Sequence, residues 1–227
     1  MIGRTYSTPI LLVTTAHPSL FQHVGSDGWI HPNLGRLIQP RHTSSIEKTA
    51  HAGIPWAADN DCFQGLDEPA YVRMLDRIAG LPGCLFVTVP DVVGDSVTTL
   101  ELFDKWAPIV RRRHLPLALV AQDGLEDHFD AIPWARFSCL FIGGSTEWKE
   151  GEAARWLADE ARARGRRVHW GRVNTRRRFD LVVADHGDSW DGSKWARFRK
   201  TYLDQGLEWC SEVSARRLEL ATEREAA

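Results

Sequence analysis

GDSWDGSKW, residues 187–195, is the stretch on which the fold turns. Asp191 stands between Trp190 and Gly192, a few residues after the apolar run LVVA at 181–184, which suits a strand. Gly192 has no side chain to pack, so its use is to let backbone or a ligand come close. If the run is a strand ending at a barrel mouth, Asp191 projects from a C-terminal end, where barrel enzymes place their chemistry. Taken alone, Asp-Gly and Gly-Ser are also common turn dipeptides. Five earlier strand candidates end in the same manner, and that repetition favours the barrel.

Working outward, the apolar and β-branched run PILLVTT at 9–15 has the signature of a strand buried on both faces. Residues 16–36 read as a long loop, 37–39 as a short second strand, and the polar segment 41–53 as a mobile cover over a site. Further strands are expected at 54–60, 84–89, 115–121, 139–142 and 167–170, with 181–184 as the last. Helices are expected over 68–79, capped by Asp67 and stopped at Gly80, and after Asp95 or Ser96, carrying Leu100, Phe103 and Trp106 inward with a kink at Pro108. Residues 149–164 give another helix burying Ala153, Trp156 and Leu157, Asn174 caps a short turn, and 203–223 form an amphipathic outer helix. Asp59, Asp91, Gln122, Gly144, Gly171 and Asp191 end successive strands at intervals of about 20 to 32 residues, the length of a βα unit. The expected architecture is α/β, one compact TIM-type (β/α)8 barrel over residues 1–227. An open doubly wound sheet fits less well, because no GxGxxG follows the first strand.

Composition narrows the function classes. With 43% hydrophobic and 26% charged residues, the chain of 227 residues has the makeup of a folded globular protein. A net charge of −2 leaves nucleic-acid binding to a local basic surface. The four cysteines are far apart without a CxxC pair, which argues against a structural zinc or a disulfide framework and fits a reducing cytoplasm. No run has membrane length and no signal layout opens the chain, so no membrane association is expected. Ten tryptophans serve as core and rim packing, or as stacking platforms for bases.

Asp59, Asp91 and Asp191 end three different strands and converge on one face if the barrel forms. Such carboxylates can be metal ligands, acid–base groups or nucleophiles; a pair flanking a glycosidic bond suits displacement at an anomeric carbon. Metal is the weaker option, because His17, His23, His31, His42 and His51 lie in expected loops without ligand spacing. Gln122 can read a base edge or bond plain backbone. Gly143 and Gly144 either expose N–H groups to a carbonyl or make an ordinary turn. His169, inside a strand, reads first as a core histidine, and the basic run 172–178 as helix-end solvation or a phosphate contact.

The ordered series AADNDCFQG, FVTVPD, VAQDG, FIGG, HWGRVNT and GDSWDG resembles the tRNA-guanine transglycosylase family, and within it the branch that places 7-deazaguanines in DNA. The resemblance covers residues 9–200. It implies a pentosyltransferase that exchanges guanine in DNA for 7-cyano-7-deazaguanine through a covalent Asp–sugar intermediate, without a cofactor. On that resemblance Asp191 is the nucleophile and Asp59 a proton-transfer residue at the base. Asp91 and Gln122 recognise the base, Gly143 and Gly144 donate to its carbonyl, and Asn60, Phe63, His169 and Gly171 complete the substrate pocket. Arg172, Arg176, Arg177 and Lys194 are the implied nucleic-acid contacts. The family's CxCxxC…H zinc site is absent, and Asn60-Asp61 replaces Ser-Gly. The implied partners are DNA rather than tRNA, the 7-deazaguanine base, and partner proteins or a second copy. Alternatives are a tRNA transglycosylase, an N-glycosidic hydrolase, or a catalytically silent nucleic-acid-binding subunit.

Overall fold

The structure is a computed structural model that describes residues 8–14 and 31–225. Eight parallel strands close on themselves in chain order: β1 (Ile10–Val13), β2 (Leu34–Ile38), β3 (Trp56–Ala58), β4 (Cys84–Thr88), β5 (Leu117–Ala121), β6 (Cys139–Ile142), β7 (Arg167–Trp170) and β8 (Ser189–Asp191). This is the TIM-type barrel expected from the strand–helix alternation. Its interior is filled by Leu12, Leu37, Ala57, Phe86, Ala118, Val120, Cys139 and Phe141. The alternate residues Leu11, Val13, Val87, Leu119 and Leu140 face a second, larger apolar layer shared with the surrounding helices. Both faces of most strands are therefore dry, which is why β1, β3, β5 and β6 read as unbroken apolar runs and not as alternating ones.

The helices follow local signals. The segment 41–53, expected to be a mobile cover, contains helix α1 (Ile46–His51). Buried Arg36 of β2 ties it to the barrel by donating to Thr49 Oγ1 at 3.0 Å and Ser44 O at 2.5 Å. Helix α2 (Glu68–Ile78) starts where Asp67 accepts from Ala70 N, and α3 (Ser96–Arg111) where Asp95 accepts from Thr98 N. Short 3-10 turns at Leu125–Ala131 and Trp134–Arg136 take the place of a helix between β5 and β6. The single helix expected over 149–164 is two, α4 (Thr146–Lys149) and α5 (Glu152–Ala163), divided at Gly151. It is Ala154, Leu157, Ala158 and Ala161 that α5 buries, while Trp156 stays 42% exposed.

The largest correction concerns LVVA. Residues 181–184 are the second half of helix α6 (Arg176–Ala184), and the eighth strand is Ser189–Asp191. Four apolar residues cannot by themselves distinguish strand from helix; here Phe179 and Val182, three apart, turn inward, and the Thr175 hydroxyl caps the helix. The expected cap, Asn174, instead accepts from Lys194 N at 3.0 Å. The second strand begins at Leu34, earlier than expected, and residues 15–30 of the expected loop lie outside the described residues. Two helices close the chain, α7 (Ser193–Arg197) and α8 (Arg199–Glu225), the latter longer than the expected 203–223.

Although three residues long, β8 pairs with both β7 and β1 and so seals the barrel. Behind it Trp190 meets Phe179 of α6 at 5.0 Å, Trp195 of α7 at 5.3 Å and Trp209 of α8 at 6.4 Å between ring centroids. Lys194 extends over the rings of Tyr202 at 4.1 Å and Trp195 at 4.9 Å. Past β8 the chain presses on the loop after β7: Val173 N donates to Asp191 O at 2.6 Å and Trp195 Nε1 to Val173 O at 2.7 Å. Gly192 adopts extended φ of −179°, open to any residue, but a Cβ there would stand 2.5 Å from both Asn174 Oδ1 and Val173 O. Close approach of backbone is thus the reason for this glycine. Gly192→Ala is expected to destabilise the protein by about 1–3 kcal/mol through overpacking, read as a lower thermal midpoint; an unchanged midpoint would mean that the loop gives way freely.

Candidate active site

The C-terminal ends of the strands surround a cavity of about 720 Å³. Asp59, Asn60, Phe63, Asp91, Gln122, Gly143, Gly144, Arg172 and Asp191, all named from the sequence, line it. The residues just past several strands, Thr14, Gln39, Asp59, Gln122 and Gly143, face the mouth together with Asp191 at the end of β8, so one-dimensional spacing becomes a largely polar ring.

Asp191 is the last residue of β8, and both of its carboxylate oxygens are held. Oδ2 pairs with His169 Nε2 at 2.8 Å, and Oδ1 accepts from the backbone N–H of Arg172 at 3.3 Å. His169 lies fully buried inside the barrel against the rings of Phe141 and Phe86, at 4.5 and 4.9 Å. Its Nδ1 meets Ser189 Oγ at 2.8 Å. A carboxylate only accepts, so Nε2 carries the proton in this arrangement and Nδ1 receives the serine hydroxyl. The histidine is therefore part of the site, bonded through its strand neighbour, and not only a core residue.

Asp59, just past β3, is held by Gln39 Nε2 on Oδ2 at 3.2 Å and weakly by Thr88 Oγ1 on Oδ1 at 3.4 Å. Protein surrounds it except toward the cavity. Burial, then the negative charge of Asp191, then those of Asp91 and Asp61 push its pKa up to about 7, against the opposing hydrogen bond from Gln39. Near neutral pH it is thus a carboxyl group able to give or take a proton.

Asp91 and Gln122 belong to a closed network. Asp91 Oδ1 accepts from Asn60 Nδ2 at 2.7 Å and Oδ2 from Gln122 Nε2 at 2.5 Å. Asn60 also donates to Val89 O at 2.9 Å and accepts from Cys62 N at 2.8 Å. The other end of Gln122 accepts from Gly94 N and Gly144 N, both at 3.0 Å. Gly143 N donates to Ala121 O at 3.0 Å. The expectation of free glycine N–H groups and a base-reading glutamine is therefore corrected: Gly144 N and the glutamine amide are spent within this network and Gly143 N on Ala121 O, which holds the ends of β3 to β6 together. Burial raises the Asp91 carboxyl, opposed by Asn60, Gln122 and the nearby Arg172 charge.

The basic residues divide. Arg172 lines the cavity with its backbone in the left-handed region, φ 60°, its guanidinium on the Gly144 carbonyl and 6.0 Å from the ring centroid of Phe63, which is 71% exposed. Arg176 pairs with Asp180 and Glu212, Arg177 with Glu150, and Lys194 bonds Gln205; none of these three lines the cavity. Gly171 lies behind the wall, bonded through its N–H to Ile142 O at 3.1 Å. Sequence reasoning missed Gln39, His42, Asp61 and Arg197, which also line the cavity. Gln39 was reachable by the same strand-end rule, since it directly follows β2.

Among the described residues no group of three or more His, Cys, Asp or Glu side chains is placed to hold a metal ion. His17 and His23 lie outside the described residues, and His51 ends α1 rather than a loop. The cysteines are free; Cys62, on the cavity wall, is pushed up to about 12 chiefly by burial and stays a thiol. Among the described residues no helix is long and apolar enough to cross a membrane.

Fold and mouth together define a (β/α)8 barrel with a carboxylate-rich cavity at the strand ends. No family model and no curated protein matches the chain. Among solved structures it is similar to the HpcH/HpaI aldolase from Desulfitobacterium hafniense DCB-2, with TM-score 0.52 and 13% identity over 91% of this chain and 93% of that one. At that identity the likeness is one of fold. It nevertheless corrects the functional expectation: the similar barrel is an aldolase and not a pentosyltransferase. The guanine-exchange reading is therefore not carried further.

The raised Asp59 carboxyl has a measurable cost. A group that binds its proton more tightly folded than unfolded lowers stability as pH rises from about 4 to about 7, and the penalty is complete above that window. Asp59→Asn is expected to raise stability at pH 8, by on the order of 1–3 kcal/mol after allowance for water in the cavity, and to change it little at pH 4. Urea unfolding of both proteins at the two pH values checks this; an equal effect at both would remove the burial argument.

Proposed function

We propose that this chain is a lyase of the aldolase type, which splits or forms a carbon–carbon bond beside a carbonyl by moving protons across the barrel mouth. The observation that carries this reading is Asp59, poised near neutrality, on the same cavity as the Asp191–His169 pair. The aldolase name of the similar barrel supports the reaction class. A cavity of about 720 Å³ suits a small molecule.

In the cleavage direction Asp191, backed by His169, takes the proton from a hydroxyl two carbons from the carbonyl. The bond between the intervening carbon and the hydroxyl-bearing carbon breaks, and its electron pair enters the carbonyl as an enolate. The hydroxyl-bearing carbon leaves as an aldehyde, and Asp59 gives its proton to the enolate carbon. One proton is taken and one is given, so no oxidant or reductant enters. The Arg172 guanidinium on the cavity wall supplies positive charge toward the enolate oxygen. Asp59 must be protonated to act, so cleavage falls as pH rises above about 7.

The test is proton NMR in deuterated buffer with a panel of 2-oxo acids and hydroxy-carbonyl compounds, run with and without added divalent cations. Wild type is expected to exchange the proton next to the carbonyl and to release aldehyde. Asp191→Asn and Asp59→Asn should each slow this by about 10²–10⁴-fold. A wild type that neither exchanges nor cleaves any member of the panel would overturn the reading.

A further inference from the structure

We propose that Lys149 is a positioning residue that acts on the Asp191 carboxylate through a single peptide group. Lys149 closes α4, is 4% exposed, and donates from Nζ to the carbonyl of Gly171 at 2.8 Å. The same peptide unit carries the Arg172 N–H, which donates to Asp191 Oδ1 at 3.3 Å. In a trans peptide the C=O and N–H point in opposite directions, so amine and carboxylate sit at the two ends of one dipole. A hydrogen bond on the oxygen polarises the amide and strengthens the donor at its far end.

The peptide is not free to choose this orientation. Arg172 follows it at φ 60°, a conformation that costs a non-glycine residue and persists only where its surroundings impose it. Contacts on either side impose it here: Lys149 on the Gly171 carbonyl, the Arg172 guanidinium on the Gly144 carbonyl, and Arg178 Nη1 on the Arg172 carbonyl at 3.2 Å. Among the described residues Lys149 forms no ion pair. Facing it are the cations Arg172 and Arg178 and the carboxylates Asp191 and Asp123, with Glu150 next along the chain. Burial first, then Arg172, pushes the amine down to about 7. Protonation as pH falls through that range makes it a stronger donor, so Asp191 is held more firmly on the acid side.

The inference rests on Asp191 being the working carboxylate, but its test needs no substrate. In isotope-labelled protein, NMR follows the Arg172 amide and the Asp191 carboxyl carbon against pH for wild type, Lys149→Met and Lys149→Arg. With Lys149→Met the Arg172 amide proton is expected to move upfield and the Asp191 carboxyl carbon signal to shift with it. Lys149→Arg, which keeps a charged donor, is expected to restore part of both. A folded Lys149→Met with both signals unchanged overturns the proposal. If Lys149→Met does not fold, wild type decides: the Arg172 amide must show an inflection coincident with titration of the Lys149 Nζ nitrogen, and its absence overturns the proposal. A protein that shows this coupling but splits no aldol substrate keeps the positioning role and loses the lyase reading; cleavage without coupling does the reverse.

Discussion

The structure depends on closure of the barrel by β8, a strand of three residues that must pair on both edges at once. So short a strand has few ladder bonds, and its position is secured from outside by aromatic packing. Trp190 is fully buried among Phe179, Trp195 and Trp209, from three successive helices. Burial of side chains this large is worth several kcal/mol in all, added to what the strand's own bonds supply. Because residues alternate along a strand, fixing Trp190 outward turns Asp191 toward the mouth and Ser189 onto His169. The packing layer thereby sets the chemistry on the opposite face.

A second constraint is repulsion among like charges. Asp59, Asp61, Asp91 and Asp191 line one cavity, and the fold responds differently to each. Asp91 is neutralised in effect by amides, from Asn60 and Gln122. Asp191 is held by an imidazole and a peptide N–H. Asp59 has weaker donors at longer distances than Asp91 or Asp191, and the charges of Asp191, Asp91 and Asp61 all act on it. Such unequal treatment of similar residues separates proton donors from acceptors.

Much of this was legible in the sequence, for identifiable reasons. Strands buried on both faces produce apolar runs, and polar residues after such runs mark the mouth; Asp59, Asp91 and Gln122 are visible in this way, whereas Asp191 is placed at the mouth by a run that is helical. The last strand was misplaced because LVVA is too short to carry a period, and the stronger signal, Thr175 as a cap, lay upstream. The glycines after β6 were read as open donors because sequence does not reveal a partner such as Gln122, 22 residues away. Lys149 was invisible for the same reason: its acceptor at Gly171 follows the next strand. The family resemblance, carried by short motifs at strand ends, implied the barrel that the structure shows; the guanine exchange it also implied is corrected by the likeness to an aldolase barrel.

The lattice of Asn60, Asp91, Gln122 and Gly144 has a bearing on how this protein can change over generations. Its members are bonded to one another and to the flanking backbone of Cys62, Val89 and Gly94, so the first replacement orphans partners on two or three strands at once, whereas a second in the same lattice has less left to lose. Effects there will be strongly non-additive. Descendants that alter this wall are expected to do so in concerted sets, while Phe63 and Arg197 at the rim, outside the lattice, are free to drift singly. New specificities would therefore arise first at the rim of the mouth and only rarely in its floor.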